Sequence, residues 1–302
     1  MSHQNASVKS IMFALSANLG IAITKTVAAV VTGSGAMLAE SIHSFADCGN
    51  QGLLFLGLRA AKKNPDTEHP LGYGKEIFFW SFIVALILFS MGGLFSIYEG
   101  IHKLSSHEGL TSPVIAIVVL SVSMVLEGAS LYGCITQVRK LKHNRSLWNW
   151  VKNSRQSELI VVLGEDVAAL VGLLFALVSI ILAVVTGNPV YDAIGSIEIG
   201  VLLVLVSIFV AVKVKSLLIG QSADDETRAA IITFLETRPE IERIMNLITL
   251  QLGPQIMVAV KVKMDKADSV SQLIDNINKC EVVLKKEFPT VQWVFFEPDV
   301  KE

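Results

Sequence analysis

The chain has 302 residues, of which 52% are hydrophobic and 17% charged, with a formal net charge of −2. A near-neutral chain with no basic cluster beside aromatic residues lacks the footprint of a nucleic-acid binder. Its charges crowd into a few short segments and the C-terminal part, a segregation that excludes an ordinary soluble domain and points to an integral membrane protein.

A hydrocarbon core about 30 Å thick needs ~20 apolar residues per helix. Six runs meet that length, 8–32, 37–60, 76–101, 112–138, 157–186 and 190–216. A soluble bundle would show polar faces at period 3.6 on its outer helices, and 112–138 shows none. The first run begins almost at Met1 and has no small-residue cleavage site, so it is expected to be a retained span rather than a signal peptide. The absence of an Arg-rich, acidic-poor leader gives the expectation of a bacterial chain in the inner (plasma) membrane, or of a mature form that has lost its leader. Cys48, Cys134 and Cys280 are scattered, with no CxxC, and read as reduced and structural.

Lys and Arg predict the orientation, because positive loops stay cytoplasmic. Arg59, Lys62, Lys63 and Lys75 lie between spans two and three. Arg139, Lys140, Lys142, Arg145, Lys152 and Arg155 lie between spans four and five, and Lys213 and Lys215 follow span six. The opposite loops carry only Lys103. Both termini are therefore expected in the cytoplasm. The connection at about 140–156 interleaves Trp148, Trp150 and Val151 with bases, which suits an amphipathic helix at the headgroup interface or a positive-inside loop with belt aromatics.

Residues 1–219 thus form the expected transmembrane domain and 220–302 a water-soluble one. In the latter, DDETRAAIITFLETRPEI reads as a capped helix, IERIMNLITLQLG and QIMVAVKVKM as alternating strands, SVSQLIDNINKCEVVLKKEF as a helix and TVQWVFFEPD as a strand. The α-β-β-α-β order predicts an α+β domain of ferredoxin-like kind. The fold class is a six-helix all-α membrane bundle with this domain appended.

Ionisable groups at bilayer depth usually mark a pathway or site. Here they are Lys25 (with the polar Asn18) in span one, Glu40, His43 and Asp47 in span two, Glu127 in span four, Glu165 and Asp166 in span five, and Glu198 in span six. His43 and Asp47, four apart, share one helix face. Imidazole plus carboxylate suits a divalent metal such as Zn²⁺, while a His–Asp hydrogen bond that only steadies the helix is the alternative. Glu165 and Asp166 point about 100° apart, so at most one is expected to face His43 and Asp47. Asp166 is the favoured one, and Glu165 would face a neighbouring helix or water. Glu127 and Glu198 are single carboxylates that ordinary packing explains as well as function does. No catalytic constellation appears, so a non-enzyme is expected, with no cofactor beyond a transported ion.

Ala14 to Asp47 (ALSANLGIAITKTVAAVVTGSGAMLAESIHSFAD), HPLGYGKE at His69 to Glu76 and the α-β-β-α-β tail together resemble the cation diffusion facilitator family, the zinc transporter superfamily of metal/proton antiporters. The FFEPD ending, the Glu165–Asp166 pair and the long connection between spans four and five look like its mitochondrial-type branch. The resemblance implies a homodimer that exchanges Zn²⁺ for protons across the bilayer by alternating access, with a site between spans two and five. His43, Asp47 and Asp166 fall on ligand positions, but the family's remaining ligand position falls on Val162, which has no donor. Water, Glu165 or a carboxylate from span four or six would complete the set. Losing an imidazole relaxes selectivity toward Mn²⁺, Co²⁺ or Fe²⁺. In the family's loop element Asp66 and His69 remain, but Tyr73 replaces a histidine. No histidine follows His143, so the family's tail zinc site has no histidine to build on. A non-transporting partner with a decayed site is the rival reading.

Overall fold

A computed structural model of the chain describes residues 18–106, 110–141 and 146–301. The expected first span begins before this range, so residues 8–17 of it lie outside the described residues, as do 142–145 in the basic connection.

The helices in chain order are α1 (Asn18–Thr32), α2 (Gly35–Ala60), α3 (Glu76–Ile87), a π-helical segment Leu88–Leu94, α4 (Phe95–Ser106), α5 (Pro113–Leu141), α6 (Leu147–Asn153), α7 (Ser157–Thr186) and α8 (Val190–Gly220). Helices α3 and α4 and the π segment form one continuous rod. Among the described residues, that rod, α5, α7 and α8 are the four helical stretches long and apolar enough to cross a bilayer by length and composition. The outward faces are apolar, with Val125 72%, Leu205 62% and Val212 62% exposed, which suits hydrocarbon and not water. The chain is a membrane protein.

Glycines set the close approaches. The π segment contains Gly92 and Gly93, and a Cβ on Gly93 would strike the Val204 side chain at 2.6 Å. Small residues let two helix backbones approach in this way. The core of this part is largely alanine and leucine, including Ala36, Ala39, Leu120, Ala168, Leu173, Ala176 and Leu203.

The α1–α2 turn is locally encoded. Gly33 takes φ +65° and donates its N–H to the Ala29 carbonyl at 2.9 Å, closing α1 in the left-handed manner glycine favours. Ser34 then caps α2, its Oγ accepting from Met37 N–H at 3.1 Å.

By contacts the chain divides into two units. One holds the described residues of Met1–Leu56, Trp80–Leu147 and Glu158–Lys213; the other holds Gly57–Phe79, Trp148–Ser157 and Val214–Glu302. In the second unit α9 (Asp225–Glu236), β1 (Ile241–Leu252), β2 (Gln255–Met264), α10 (Val270–Glu287) and β3 (Val291–Pro298) follow one another, in the expected order. Asp224 and Ser269 cap the two helices by accepting from Thr227 and Gln272 N–H. The sheet order is β1-β2-β3, with β1 antiparallel and β3 parallel to β2. Ile231, Leu235, Cys280 and Leu284 of the helices pack with Val258, Val260 and Val262 of β2.

This unit also binds connecting segments. Arg155 Nε donates to the Ser222 carbonyl at 2.7 Å, and Lys75 Nζ to that of Leu218 at 3.4 Å. Gly74 lies so close to the Leu252 carbonyl and Gly253 that neither glycine has room for a side chain. In the connection between α5 and α7, Trp150 and Val151 are buried while Trp148 is 69% exposed. Two of the three residues expected at a headgroup interface are therefore docked into protein.

Candidate metal-transport site

Four helices of the first unit surround a cavity of about 30 Å³, room for one or two water-sized guests. Asn18 and Ile21 come from α1, Ser44, Asp47 and Gln51 from α2, Glu127 and Ser130 from α5, and Val162, Glu165 and Asp166 from α7. Each helix contributes residues three or four apart, the spacing that puts side chains on one face.

The sequence-predicted residues divide accordingly. Asp47, Asp166, Glu165, Glu127 and Asn18 are brought together. Glu165 and Asp166 both line the cavity, each bonded to a different helix. They flank Val162, three and four residues before them, and the cavity is wide enough to meet both. Asn50 Nδ2 of α2 donates to Glu165 Oε1 at 2.6 Å, while Ser130 Oγ of α5 donates to Asp166 Oδ1 at 3.3 Å.

His43 is fully buried and is not part of the cavity wall. Its Nε2 lies 3.5 Å from Asp47 Oδ2, and neither ring nitrogen has a hydrogen-bond partner. Glu198 is exposed on α8, on the same outward face as Ile194 and Val201, and takes no part in the cavity. Among the described residues, no group of three or more His, Cys, Asp or Glu side chains closes to metal-holding geometry.

The cavity's carboxylates are not all satisfied by protein donors. Asp47 Oδ1 and Asp166 Oδ2 are buried without a hydrogen-bond partner, a costly state that native interiors avoid. Ser44, Gln51 and Ser130 were missed from the sequence, although the first two stand at i−3 and i+4 from Asp47 and the third at i+3 from Glu127. Their spacing was the available signal.

Outside the spans, Asp66 and His69 meet in the loop before α3. Tyr73 donates its hydroxyl to Asp66 Oδ2 at 2.6 Å, and Asp66 Oδ1 accepts from His69 and Glu68 N–H at 2.7 and 3.1 Å. His69 Nδ1 is 3.6 Å from Asp66 Oδ1, and its ring lies 4.3 Å from that of Tyr73. The Tyr73 hydrogen bond is the main force holding Asp66 below its ordinary range. The same bond pushes the Tyr73 phenol up to about 12. Protein donors thus satisfy the carboxylate that a loop metal would have used.

Two ion pairs are not themselves part of the cavity lining. Lys25 of α1 pairs with Glu40 of α2 at 3.2 Å, both fully buried. Asp192, in the first turn of α8, accepts from Gly35 N–H at 2.7 Å and Ala36 N–H at 3.4 Å, receives the Ser34 hydroxyl, and pairs with Lys103 at 3.3 Å. It thus caps α2 from another helix, where the helix dipole favours an anion. The sequence reading did not single out Asp192.

A core of long apolar helices defines a membrane protein. The chain belongs to the cation efflux family: residues 11–219 match its transmembrane domain. It is similar to metal tolerance protein C4 of Arabidopsis thaliana, 34% identical over 73% of this chain and 49% of that one. It is equally similar, 34% over 81% of this chain and 44% of the relative, to the human mitochondrial proton-coupled zinc antiporter SLC30A9. The magnetosome protein MamB of Magnetospira sp. strain QH-2 is 27% identical over 66% of this chain and 62% of its own length. The chain spans about half the length of the first two relatives.

Proposed function

We propose that this cation efflux family transporter exports a divalent metal, Zn²⁺ first, from the cytoplasm in exchange for protons by alternating access. Asp47, Asp166, Glu165 and His43 are its ligands, with Glu127 and Asn18 in support. The observation that carries the reading is the pair of buried, unpaired oxygens, Asp47 Oδ1 and Asp166 Oδ2, on one cavity wall shared with Glu165 and Glu127. An ion entering the cavity would draw these donors inward and satisfy them. Metal and proton compete for the same atoms, since ligands bind metal only when deprotonated. The name of the SLC30A9 relative, a proton-coupled zinc antiporter, supports both cargo and coupling.

The reading includes α1 and α2 as further spans, six in all, with both termini cytoplasmic. It also includes a tail of ferredoxin-like kind lacking the first strand, and a homodimer whose tails pair without histidine-bound zinc. The membrane is the bacterial inner membrane or one that likewise carries a proton gradient.

Purified protein in proteoliposomes tests it. Zn²⁺ flux is expected to rise with an imposed pH gradient and to be lost in Asp47→Ala; equal flux in the variant sinks the assignment. Because the cavity wall offers oxygen donors, with His43 off it, the same assay run with Mn²⁺, Co²⁺ and Fe²⁺ sets the selectivity.

A further inference from the structure

Among the described residues Lys25 is the one Lys or Arg that is buried, and the transport reading above does not use it. Its ammonium donates to Glu40 Oε2 at 3.2 Å and to Ser44 Oγ at 2.8 Å, joining α1 to α2. Ser44 belongs to the cavity wall, and Glu40 lies one helical turn before it. Glu40 Oε1 is buried with no hydrogen-bond partner, as are both ring nitrogens of His43 between them in sequence.

Glu40, His43 and Asp47 fall at i, i+3 and i+7, along one face of α2. Carboxylate and imidazole are metal-ligating groups, so the donor face continues beyond the cavity toward the Gly35 end of the helix. An ammonium offers donors only. Seated on Glu40 and Ser44, it places a positive charge where a divalent ion would otherwise gain further ligands.

We propose that Lys25 is a positioning residue, a tethered counter-cation that keeps Glu40 and Ser44 out of the transported ion's ligand set and so keeps that ion releasable. Without the ammonium, the cavity's carboxylates and Glu40 would hold a divalent ion together, and tight multidentate holding slows turnover. The inference rests on the transport reading.

The test titrates ZnCl₂ into the full-length chain by calorimetry and measures Zn²⁺ uptake in proteoliposomes. In Lys25→Met, Glu40 becomes available, and the Kd for Zn²⁺ falls about tenfold while the maximal uptake rate drops. In Lys25→Met/Glu40→Gln the added ligand is gone, and Kd returns to within about twofold of the parent. Lys25→Arg keeps the parent Kd. A merely structural role would weaken binding in Lys25→Met, and the second substitution would not restore it. A folded Lys25→Met with an equal or higher Kd overturns the proposal, as does a double variant as tight as the single one. Should Lys25→Met not fold, Glu40→Gln gives the readout: the ammonium without its carboxylate raises Kd about tenfold, and an unchanged Kd overturns the proposal. Asp47→Asn separates the two claims. Retained Zn²⁺ binding there removes the transport site and this inference with it, whereas lost binding with an unshifted Lys25→Met removes the inference alone.

Discussion

Asn50 Nδ2 donates to Glu165 Oε1 across 2.6 Å, and this bond ties α2 to α7 at the depth of the cavity. It makes the position of Glu165 depend on a neutral amide one turn beyond Asp47. The Asn50→Leu variant removes the donor and leaves a buried carboxylate unsatisfied, at a cost of about 1–3 kcal/mol. Thermal unfolding in detergent is expected to show the loss, and Zn²⁺ uptake is expected to fall with it. An unchanged melting temperature would mean that Glu165 finds another partner.

Gly172 on α7 leaves room for the Lys25–Glu40 pair. A Cβ there would lie 2.5 Å from Glu40 Oε1, so Gly172→Ala forces the carboxylate off its ammonium or α7 away from α2. Overpacking costs about 1–3 kcal/mol, and a strained buried ion pair adds to that. Gly172→Ala is therefore expected to lower the melting temperature more than Gly128→Ala, where a Cβ meets nothing within 4 Å. Equal melting temperatures in the two variants refute the close approach.

Much of this was legible in the sequence because burial in lipid and burial in a small sheet leave different patterns. Four of the six apolar runs read as spans coincide closely with the rod from Glu76, α5, α7 and α8, since a bilayer demands length and apolarity together. The alternation in QIMVAVKVKM became β2, with Val258, Val260 and Val262 in the core. The carboxylates were equally visible, because charge inside an apolar run stands out. What the sequence did not carry was rotation about each helix axis. Whether Glu165 shared the cavity with Asp166, and whether His43 lay on its wall, depends on how α2 and α7 are turned, which packing at glycines and alanines decides. Asp192 was overlooked because it sits at a helix start, where an acidic residue reads as an ordinary dipole partner.

The Tyr73–Asp66 hydrogen bond gives a pH signature outside the membrane. The Tyr73 phenol is raised to about 12, so this bond supports the folded loop fully below the ordinary tyrosine range near 10 and is lost as pH rises through about 12. Asp66 is shifted the other way: its contribution is present above the ordinary Asp range near 3.9 and fades as pH falls through the depressed value. Ultraviolet titration of tyrosinate, taken as the difference between the parent and Tyr73→Phe, is expected to place the Tyr73 midpoint near 12. Asp66→Asn removes the shift. A midpoint at the ordinary value in the parent would refute the hydrogen bond.

Asp192 makes the most contacts of any buried carboxylate described in this helical core: the α2 N-terminus, the Ser34 hydroxyl and Lys103. Removing one partner of a buried pair leaves the other uncompensated and costs about 3–5 kcal/mol. Asp192→Ala also strips an external cap from α2, the helix that carries His43 and Asp47, worth a further ~1 kcal/mol. Lys103→Met removes only the ammonium and leaves the cap in place. Asp192→Ala is thus expected to destabilise more than Lys103→Met, and the double variant should cost less than the sum of the two, because the shared ion pair is counted once. Chemical or thermal unfolding of the four proteins in one detergent supplies the cycle. Strict additivity would show that Lys103 and Asp192 do not act on each other and that the Asp192 carboxylate serves α2 alone.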